Sequence, residues 1–388
     1  MPITTLSALA LAQKLHAGET TIAQALDACY AAIEAGGGQN FAALCREQAC
    51  ARAVEIQARL DAGAIRSPLA GVPVAVQDNI CTMGTVTEAG SKALAGYVPP
   101  FDAAVIEKIH AADMIVIGKT AMDEFGMGGT VDGGAAAVAA GEAPIALGCD
   151  TGGELRRTAA RRGLFALRPT YGAVSRFGLI AYASSMDQIG PVARSAADCA
   201  ALFEIIKGKD ERDSTSQAPF AREGGDAAAS GGAKLKIGEL PLPDCALPAY
   251  TVLACAEGCS NLARIDGIKY GHASEKARSL RETYVLSRSE GFGPEAKKRV
   301  LLGNFVLGAG NYEAYYVKAM QARRLARQAL LEALEGCDVL AASADDEASL
   351  VMASLAGLPA LALPDGRQLV GGAFEEGKAL AAGEVFQG

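Results

Sequence analysis

The sequence predicts an α/β protein whose buried β-sheet is mainly parallel. Short apolar runs of strand length, at residues 72–76, 114–118 and 143–147, alternate with stretches of helical periodicity. Short apolar strands connected by helices are typical of a buried parallel sheet. The chain contains 45 glycines, which favour an α/β protein with many tight turns, and half of its residues are hydrophobic, which is a globular composition.

The helices are predicted from capping residues and apolar periodicity. Thr21 is placed to cap a helix over residues 22–35, and the glycines at 36–38 are placed to end it. The rest of the first sixty residues also favours helix. The remaining predicted elements are helices at 102–113, 275–282 and 312–335, and strands at 236–240, 338–342 and 359–363.

We predict a single domain over residues 1–388. The length allows one large domain or two ordinary ones. Residues 221–233, AREGGDAAASGGA, are of low complexity and predict a surface linker. No apolar run approaches the length of a membrane span, and the N-terminus lacks the basic leader and cleavage pattern of a signal peptide. We therefore expect one domain with a peripheral lobe and no membrane association.

Charge and metal-ligand content disfavour several functions. The net charge of −8 argues against general nucleic-acid binding, which needs clustered Lys and Arg. The ten cysteines form no C-x-x-C pair, which predicts reduced thiols in a cytoplasmic protein. His16, His110 and His272 lie far apart in the sequence, which disfavours a histidine-based zinc site or a Ser-His-Asp triad. We predict neither a metal nor a cofactor.

A glycine turn after the apolar run at 143–147 predicts the functional site. Thr151, Gly152 and Gly153 stand where a strand runs into a turn, and such a turn presents unpaired backbone N–H groups that can form an oxyanion hole. The next residue is well placed to be a nucleophile. Here it is Glu154, whose charge would repel the anion that the turn could stabilise.

Four long motifs resemble those of the amidase signature family. They are AGVPVAVQDNI (70–80), KTAMDEF (119–125), AAAVAAGEAPIALGCDTGG (135–153) and RPTYGAVSRFGLIAYASSMDQIGPVARS (168–195). Further segments at 208–216, 260–273 and 288–319 resemble the A-subunit branch of that family, which serves tRNA-dependent glutamyl/aspartyl amidotransferases. The resemblance covers nearly the whole chain. It implies an α/β amidase signature fold with a twisted, mixed β-sheet flanked by helices on both faces.

The resemblance also implies that the catalytic positions are substituted. The family hydrolyses amides with a lysine, a bridging serine held in a cis peptide, and a nucleophilic serine. The lysine position is Gln77 and the nucleophile position is Glu154. The bridging serine belongs to a loop that is shortened here to MGGTVDGG (127–134), which leaves Thr130 as the nearest match.

The same resemblance implies a substrate pocket that is only partly preserved. Thr151, Gly152 and Gly153 match the turn that lines it, and Arg323 matches the arginine that holds the substrate carboxylate. The acid that holds the substrate amino group would lie in a stretch that the short C-terminal region lacks, and Glu347 is the nearest stand-in.

Two roles are open for Glu154. In the first role, Glu154 acts as a new nucleophile or base, which carboxylates do when their surroundings shift their pKa. In the second role, Glu154 forms a salt bridge and fills the former substrate pocket. We favour the second role because Gln77 cannot accept a proton. The arginines considered as salt-bridge partners are Arg156, Arg157, Arg161 and Arg162. Two roles are open for the arginine-rich segment 154–163: it binds an anion, or it forms a solvent-exposed helix. We expect Cys149 to be a buried thiol of the core.

Three functions follow as hypotheses. The leading one is a non-catalytic, A-subunit-like protein that keeps the amidase scaffold and acts through contacts with other proteins. Its expected partners are B- and C-subunit-like chains or a catalytically active A-subunit-like chain. The alternatives are an active amidase or glutaminase with a rebuilt site, and a module that binds a small polar ligand in the vacated pocket.

Overall fold

A ten-stranded β-sheet forms the centre of the structure, a computed structural model that describes residues 2–65, 67–218 and 235–386. The predicted linker at 221–233 lies outside the described residues, and the single-domain organisation stays a prediction. The strands are β1 (Phe41–Leu44), β2 (Pro73–Gln77), β3 (Ile115–Thr120), β4 (Ile145–Asp150), β5 (Phe165–Arg168), β6 (Gln188–Ala193), β7 (Ile237–Glu239), β8 (Val339–Ser343), β9 (Ala360–Ala362) and β10 (Arg367–Gly371). Their order across the sheet is β1-β3-β2-β4-β6-β5-β9-β10-β8-β7.

The sheet is mixed, as the family resemblance implies, and the mainly parallel arrangement predicted from the strand pattern is wrong. Among the described strands, the parallel pairs are β2–β3, β2–β4 and β7–β8, and the other neighbours are antiparallel. Every predicted apolar run contains a strand, but β1, β5, β6 and β10 were not predicted. Each antiparallel pair contains one of these four strands, which explains why the prediction missed the antiparallel part.

Thirteen α-helices surround the sheet in the described residues. They are α1 (Ala8–His16), α2 (Ile22–Ala35), α3 (Arg46–Asp61), α4 (Ala104–Ala111), α5 (Gly133–Ala140), α6 (Glu154–Ala160), α7 (Ala196–Ile206), α8 (Ala246–Leu262), α9 (Leu280–Gly291), α10 (Pro294–Leu307), α11 (Lys318–Leu334), α12 (Glu347–Ala356) and α13 (Glu376–Val385). A π-helical turn at Glu313–Val317 precedes α11. No helix in this part of the chain is long and apolar enough to cross a membrane.

Helices cover both faces of the sheet, and the strands are buried on both sides. Along β2, Val74 and Val76 belong to one core cluster, whereas Ala75 between them belongs to another. The first cluster includes α4, α7 and α13, and the second includes α2, α5 and α6. A third cluster joins α8, α11 and α12 to the part of the sheet formed by β8, β9 and β10.

Capping residues explain which helix bounds were predicted correctly and which were not. Helix α2 has the predicted bounds because Thr21 and Gln24 form a reciprocal capping box, which satisfies two N–H groups at the start of the helix. The helix predicted at 275–282 is wrong in both bounds, because α9 runs from Leu280 to Gly291. It begins at Leu280 because the hydroxyl of Ser279 accepts a hydrogen bond from the N–H of Glu282. The helix predicted at 312–335 is confirmed as the π-helical turn and α11.

Candidate active site

A small pocket lies where the parallel strands β2 and β4 end. Gln77 is the last residue of β2, and β4 ends at Asp150, directly before the Thr151-Gly152-Gly153 turn and α6. The pocket has a volume of about 20 Å³. Its lining residues are Gln77, Asn79, Met122, Asp123, Phe125, Gly126, Gly129, Val131, Asp132, Cys149, Thr151, Glu154, Leu155, Tyr182 and Asp187. Gln77 at the family's lysine position and Glu154 at its nucleophile position therefore line the same pocket.

Glu154 is bound to the turn that precedes it. One carboxylate oxygen, Oε2, accepts hydrogen bonds from the backbone N–H groups of Thr151 at 3.0 Å and Gly152 at 2.8 Å. Burial in the pocket, and then the charge of the nearby Asp150, raise the pKa of Glu154 above its ordinary value. The donors predicted to form an oxyanion hole are therefore occupied by the protein's own side chain.

The turn requires glycine at both of its glycine positions. A Cβ on Gly152 would lie 2.2 Å from the hydroxyl of Tyr250. Gly153 has a φ of 104°, a backbone angle that residues with a side chain rarely adopt. A Cβ at Gly153 would lie 2.6 Å from Leu350. These close approaches press the backbone against α8 and α12 and hold its N–H groups in place.

Asp187 fixes the other side of the turn. Its carboxylate accepts hydrogen bonds from the hydroxyl of Thr151 at 2.7 Å and from the backbone N–H groups of Tyr182 and Ala183 at 3.0 and 3.1 Å. Burial raises the pKa of Asp187. Asp187 therefore ties the turn to the loop that leads into β6.

The side chain of Gln77 is hydrogen-bonded to a backbone N–H group rather than to a catalytic side chain. Its Oε1 accepts a hydrogen bond of 2.6 Å from the N–H of Cys149 in the neighbouring strand β4. None of the hydrogen bonds described for Gln77 joins it to Glu154. The Cys149 thiol is buried, as expected, and burial raises its pKa well above the ordinary value, so it remains protonated.

Thr130 lies at the surface beside the pocket. Its hydroxyl and backbone N–H both donate to the carboxylate of Asp123. Its neighbours Gly129 and Val131 line the pocket, whereas Thr130 does not. The structure therefore does not bring Thr130 between Gln77 and Glu154, and its match to the bridging serine stays a prediction.

Arg323 is occupied by contacts outside the pocket. It donates to the carbonyl of Leu355 at 2.8 Å, and to the hydroxyl and carbonyl of Ser185 at 2.6 and 2.9 Å. Glu257 accepts from the N–H and hydroxyl of the same serine. Glu347 is exposed at the start of α12 and does not line the pocket. The structure places neither Arg323 nor Glu347 where either contacts the pocket.

The predicted salt bridge between Glu154 and a following arginine is wrong. The four arginines have other partners: Arg156 binds Asp150, Arg157 donates to the carbonyl of Gly129, Arg161 binds Asp345, and Arg162 donates to the carbonyl of Thr158. The carboxylate of Glu154 instead folds back onto the turn, whose N–H groups lie within its reach. Glu154 lines the pocket, but its carboxylate is held there by backbone N–H groups and not by the predicted arginine.

Asp150 is the centre of a buried ion network beneath the turn. Arg156 and Arg168 both pair with it, at 3.1 and 2.9 Å, and all three side chains are fully buried. Burial alone would raise the pKa of Asp150, but the charges of the two arginines outweigh it and lower the pKa. Arg156 also binds Gln368 of β10 and the carbonyl of Leu350, so the network joins both halves of the sheet.

A buried lysine that sequence reasoning missed lies close to Gln77. Lys119 pairs with Val76 across β2 and β3, so its side chain points to the opposite face of the sheet from Gln77. Its Nζ donates to the carbonyl of Ile80 and the hydroxyl of Thr82. Burial, opposed by the charge of Asp78, lowers the pKa of Lys119 to about 8. Lys119 does not replace the lysine missing at position 77.

The pocket also contains acids that the motifs did not single out. Asp132 caps α5 by accepting from the N–H groups of Gly134 and Ala135, and it accepts from the hydroxyl of Thr158. Burial raises its pKa. The signal for it is an acid directly before a glycine pair at a helix start, which predicts an N-cap but not a pocket.

The chain belongs to the amidase signature family. The family model described as Amidase matches residues 24–133, 127–238 and 228–349. The A subunit of the glutamyl-tRNA(Gln) amidotransferase of Agathobacter rectalis is 37% identical over 474 aligned positions, which cover 100% of this chain and 94% of the relative. Since the chain has 388 residues, about 86 of the aligned positions have no counterpart in it.

Solved structures share the fold. A crystal structure of the A subunit of glutamyl-tRNA(Gln) amidotransferase from Thermotoga maritima is 27% identical, with a TM-score of 0.70 over 98% of this chain and 93% of that one. A chain from a vestigial protein complex, described for the evolutionary origins of an s-triazine catabolic enzyme, is 24% identical, with a TM-score of 0.84 over 98% of both chains. These likenesses confirm the predicted fold.

The environment of Glu154 predicts a pH-dependent contribution to stability. Because its pKa is higher in the folded than in the unfolded chain, the contribution is fully present below the ordinary pKa and is lost as the pH rises through the folded pKa. Glu154→Gln keeps an acceptor oxygen but does not titrate. We expect the free energy of unfolding of the wild type to fall relative to this variant as the pH is raised above 4.5, the ordinary pKa of glutamate, and through the higher folded pKa, measured by urea unfolding.

The matched control is Glu347→Gln, which changes an exposed acid outside the pocket. Its stability difference from the wild type should vary less with pH than that of Glu154→Gln. A Glu154→Gln difference that is independent of pH, or a wild type that gains stability relative to it as the pH rises, would contradict the assignment.

Proposed function

We propose that the chain is a catalytically inactive, A-subunit-like amidase that acts as a scaffold or partner subunit of a glutamyl/aspartyl-tRNA amidotransferase-like complex in the cytoplasm. The observation that supports inactivity most strongly is the contact of the Glu154 carboxylate with the N–H groups of Thr151 and Gly152. The names of the relatives support the role, since each is called the A subunit of an amidotransferase.

The charge of Glu154 opposes amide hydrolysis at this turn. Attack on an amide carbonyl develops an oxyanion, which such enzymes stabilise with backbone N–H donors. Here those donors already bind a carboxylate, which would repel the developing charge. Gln77 at the lysine position cannot take a proton from a nucleophile. Loss of a nucleophile alone costs on the order of 10⁶-fold in kcat.

The size of the pocket supports the same conclusion. Ligand pockets usually have volumes of about 300–1,000 Å³. The pocket at Glu154 has about 20 Å³, which is room for a single water-sized species. A glutamine side chain would enter only after the Glu154 side chain moved away.

An active enzyme with a rebuilt site is the second candidate. The raised pKa of Glu154 favours it, because perturbed carboxyl groups in clefts often act as acids or bases. Two observations oppose it: no lysine or histidine is among the residues that line the pocket, and the Glu154 carboxylate is bound to backbone. Binding of a small ligand in the pocket is the third candidate.

We expect the purified protein to release no ammonia from glutamine or asparagine and to remain unlabelled by serine-directed covalent probes. The reason is that Glu154 blocks the N–H donors and no serine stands at the nucleophile position. The measurement is ammonia release over hours, beside an active amidase of the same family as positive control. Turnover that is abolished by Glu154→Ala would instead establish the rebuilt active site.

Helix α10 offers a surface for the proposed protein contacts. It packs on α8 through small residues such as Gly303, whose Cβ would lie 2.2 Å from the carbonyl of Cys255. Its outer face exposes Leu301 and Phe305, with 70% and 49% of their surface accessible. Lys297 and Lys298 lie one turn before Leu301 and two turns before Phe305, so the apolar face has a basic end on a chain whose net charge is −8.

Reversal of charge at that basic end should weaken assembly without unfolding the chain. We expect Lys297→Glu/Lys298→Glu to lower the affinity for B- and C-subunit-like proteins by roughly tenfold or more, because the rim charges of an interface act on association. Lys209→Glu, at an exposed ion pair elsewhere, is the control. The measurement is the affinity of each variant for the partner protein immobilised on a sensor surface. Thermal unfolding of each variant verifies that it is folded. A wild type that does not bind such proteins at micromolar concentration would refute the partner role.

A further inference from the structure

A row of exposed side chains runs along one face of α9. Arg281, Val285 and Ser289 stand four residues apart, so they lie above one another on the helix. All three are exposed, and Val285 has 54% of its surface accessible. This face of α9 therefore combines a cation with an apolar side chain.

Lys297 connects this row to a second row on α10. Its Nζ donates a hydrogen bond of 2.6 Å to the backbone carbonyl of Ser289. Leu301 and Phe305 follow Lys297 at intervals of four residues, and both are exposed. The ring of Phe305 meets the exposed ring of Tyr315 edge to face in the π-helical turn, with centroids 5.3 Å apart. The two rows and Tyr315 therefore form one continuous surface, which we call the α9–α10 stripe.

The chain's own core does not use the stripe. The buried residues of α10 are Ala296, Gly303 and Val306, and those of α9 are Ser287 and Gly291. None of them belongs to the stripe. Contiguous apolar surface that the fold leaves exposed usually marks a site of interaction with another protein.

The stripe is positively charged on a chain that is negatively charged. Residues 264–299 contain nine Lys and Arg but only five Asp and Glu, whereas the whole chain has a net charge of −8. In the described part of the chain, Arg281 and Lys297 form no ion pair, and the pairs beside them belong to Lys276 and Lys298. An acidic partner is therefore attracted to this surface and repelled by the rest of the chain.

We propose that the α9–α10 stripe binds an acidic amphipathic helix of a partner protein. The inference rests on the proposed function, because it names the chemistry of the partner segment that this chain contacts. Rows of side chains four residues apart are the ridges by which α-helices pack together, so a helix fits these rows. Its apolar face packs on Val285, Leu301 and Phe305. Its carboxylates meet Arg281 and Lys297.

Photochemical cross-linking tests the position of the partner helix. The photoreactive amino acid p-benzoylphenylalanine replaces Val285, Leu301 or Tyr315 in turn. The control is the same replacement at Val54, which is exposed on α3 outside the stripe. Each variant is irradiated with the purified B- or C-subunit-like protein of the same organism, and the cross-linked peptides are identified by mass spectrometry. We expect all three stripe positions to cross-link to one helical, negatively charged segment, and Val54 to give no product.

The outcomes separate this inference from the proposed function. If a complex forms, cross-links to a basic or an extended segment, to a second copy of this chain, or from Val54 alone would overturn the inference and leave the partner role intact. If neither protein forms a complex with the chain, the partner role and the inference both fail.

Variants of Arg281 test the sign of the partner's charge. Arg281→Glu should lower the affinity about tenfold at low salt, whereas Arg281→Lys keeps the charge and should bind like the wild type. Added salt should weaken the wild type more than Arg281→Glu, because salt screens the attraction. Arg281 is exposed, so thermal unfolding should show both variants folded. An unchanged affinity of Arg281→Glu, or an equal loss in Arg281→Lys, would contradict an acidic partner.

Discussion

The contact between the Glu154 carboxylate and the backbone N–H groups of Thr151 and Gly152 determines what the pocket can do. The donors are fixed by glycines that no other residue could replace without a clash or backbone strain. A carboxylate at hydrogen-bond distance from both donors satisfies them inside the chain. The same groups are then not available to a reacting carbonyl, and the pocket shrinks to the size of one water molecule.

The ion network beneath the turn joins the strands around the pocket without using the pocket residues Glu154 and Gln77. Asp150 ends β4, and its two arginine partners extend to β10 and to the loop before β6. A buried ion pair is costly to break, because removal of one partner leaves an unpaired charge in the interior. This network needs neither Glu154 nor Gln77, so the fold tolerates substitution at both positions.

The sequence predicted the fold and the place of the site better than the contacts within the site. Apolar runs located β2, β3 and β4, and the turn after β4 located the pocket. Periodicity did not reveal β6 because Gly190 and Pro191 interrupt its apolar pattern. The partner of Glu154 was predicted wrongly because sequence spacing favours nearby arginines, whereas the direction of the side chain at the start of α6 favours the turn. Lys119 was missed because an isolated lysine in a strand carries no sequence signal of burial.

Backbone amide resonances test the central contact most directly. The measurement is a pH titration of the Thr151 and Gly152 N–H signals by NMR, in the wild type and in Glu154→Gln. We expect both signals in the wild type to shift together with one midpoint above 4.5, the ordinary pKa of glutamate, because one carboxylate binds both. Neither signal should shift with that midpoint in the variant. Signals that titrate independently of each other, or that titrate alike in both proteins, would contradict the contact.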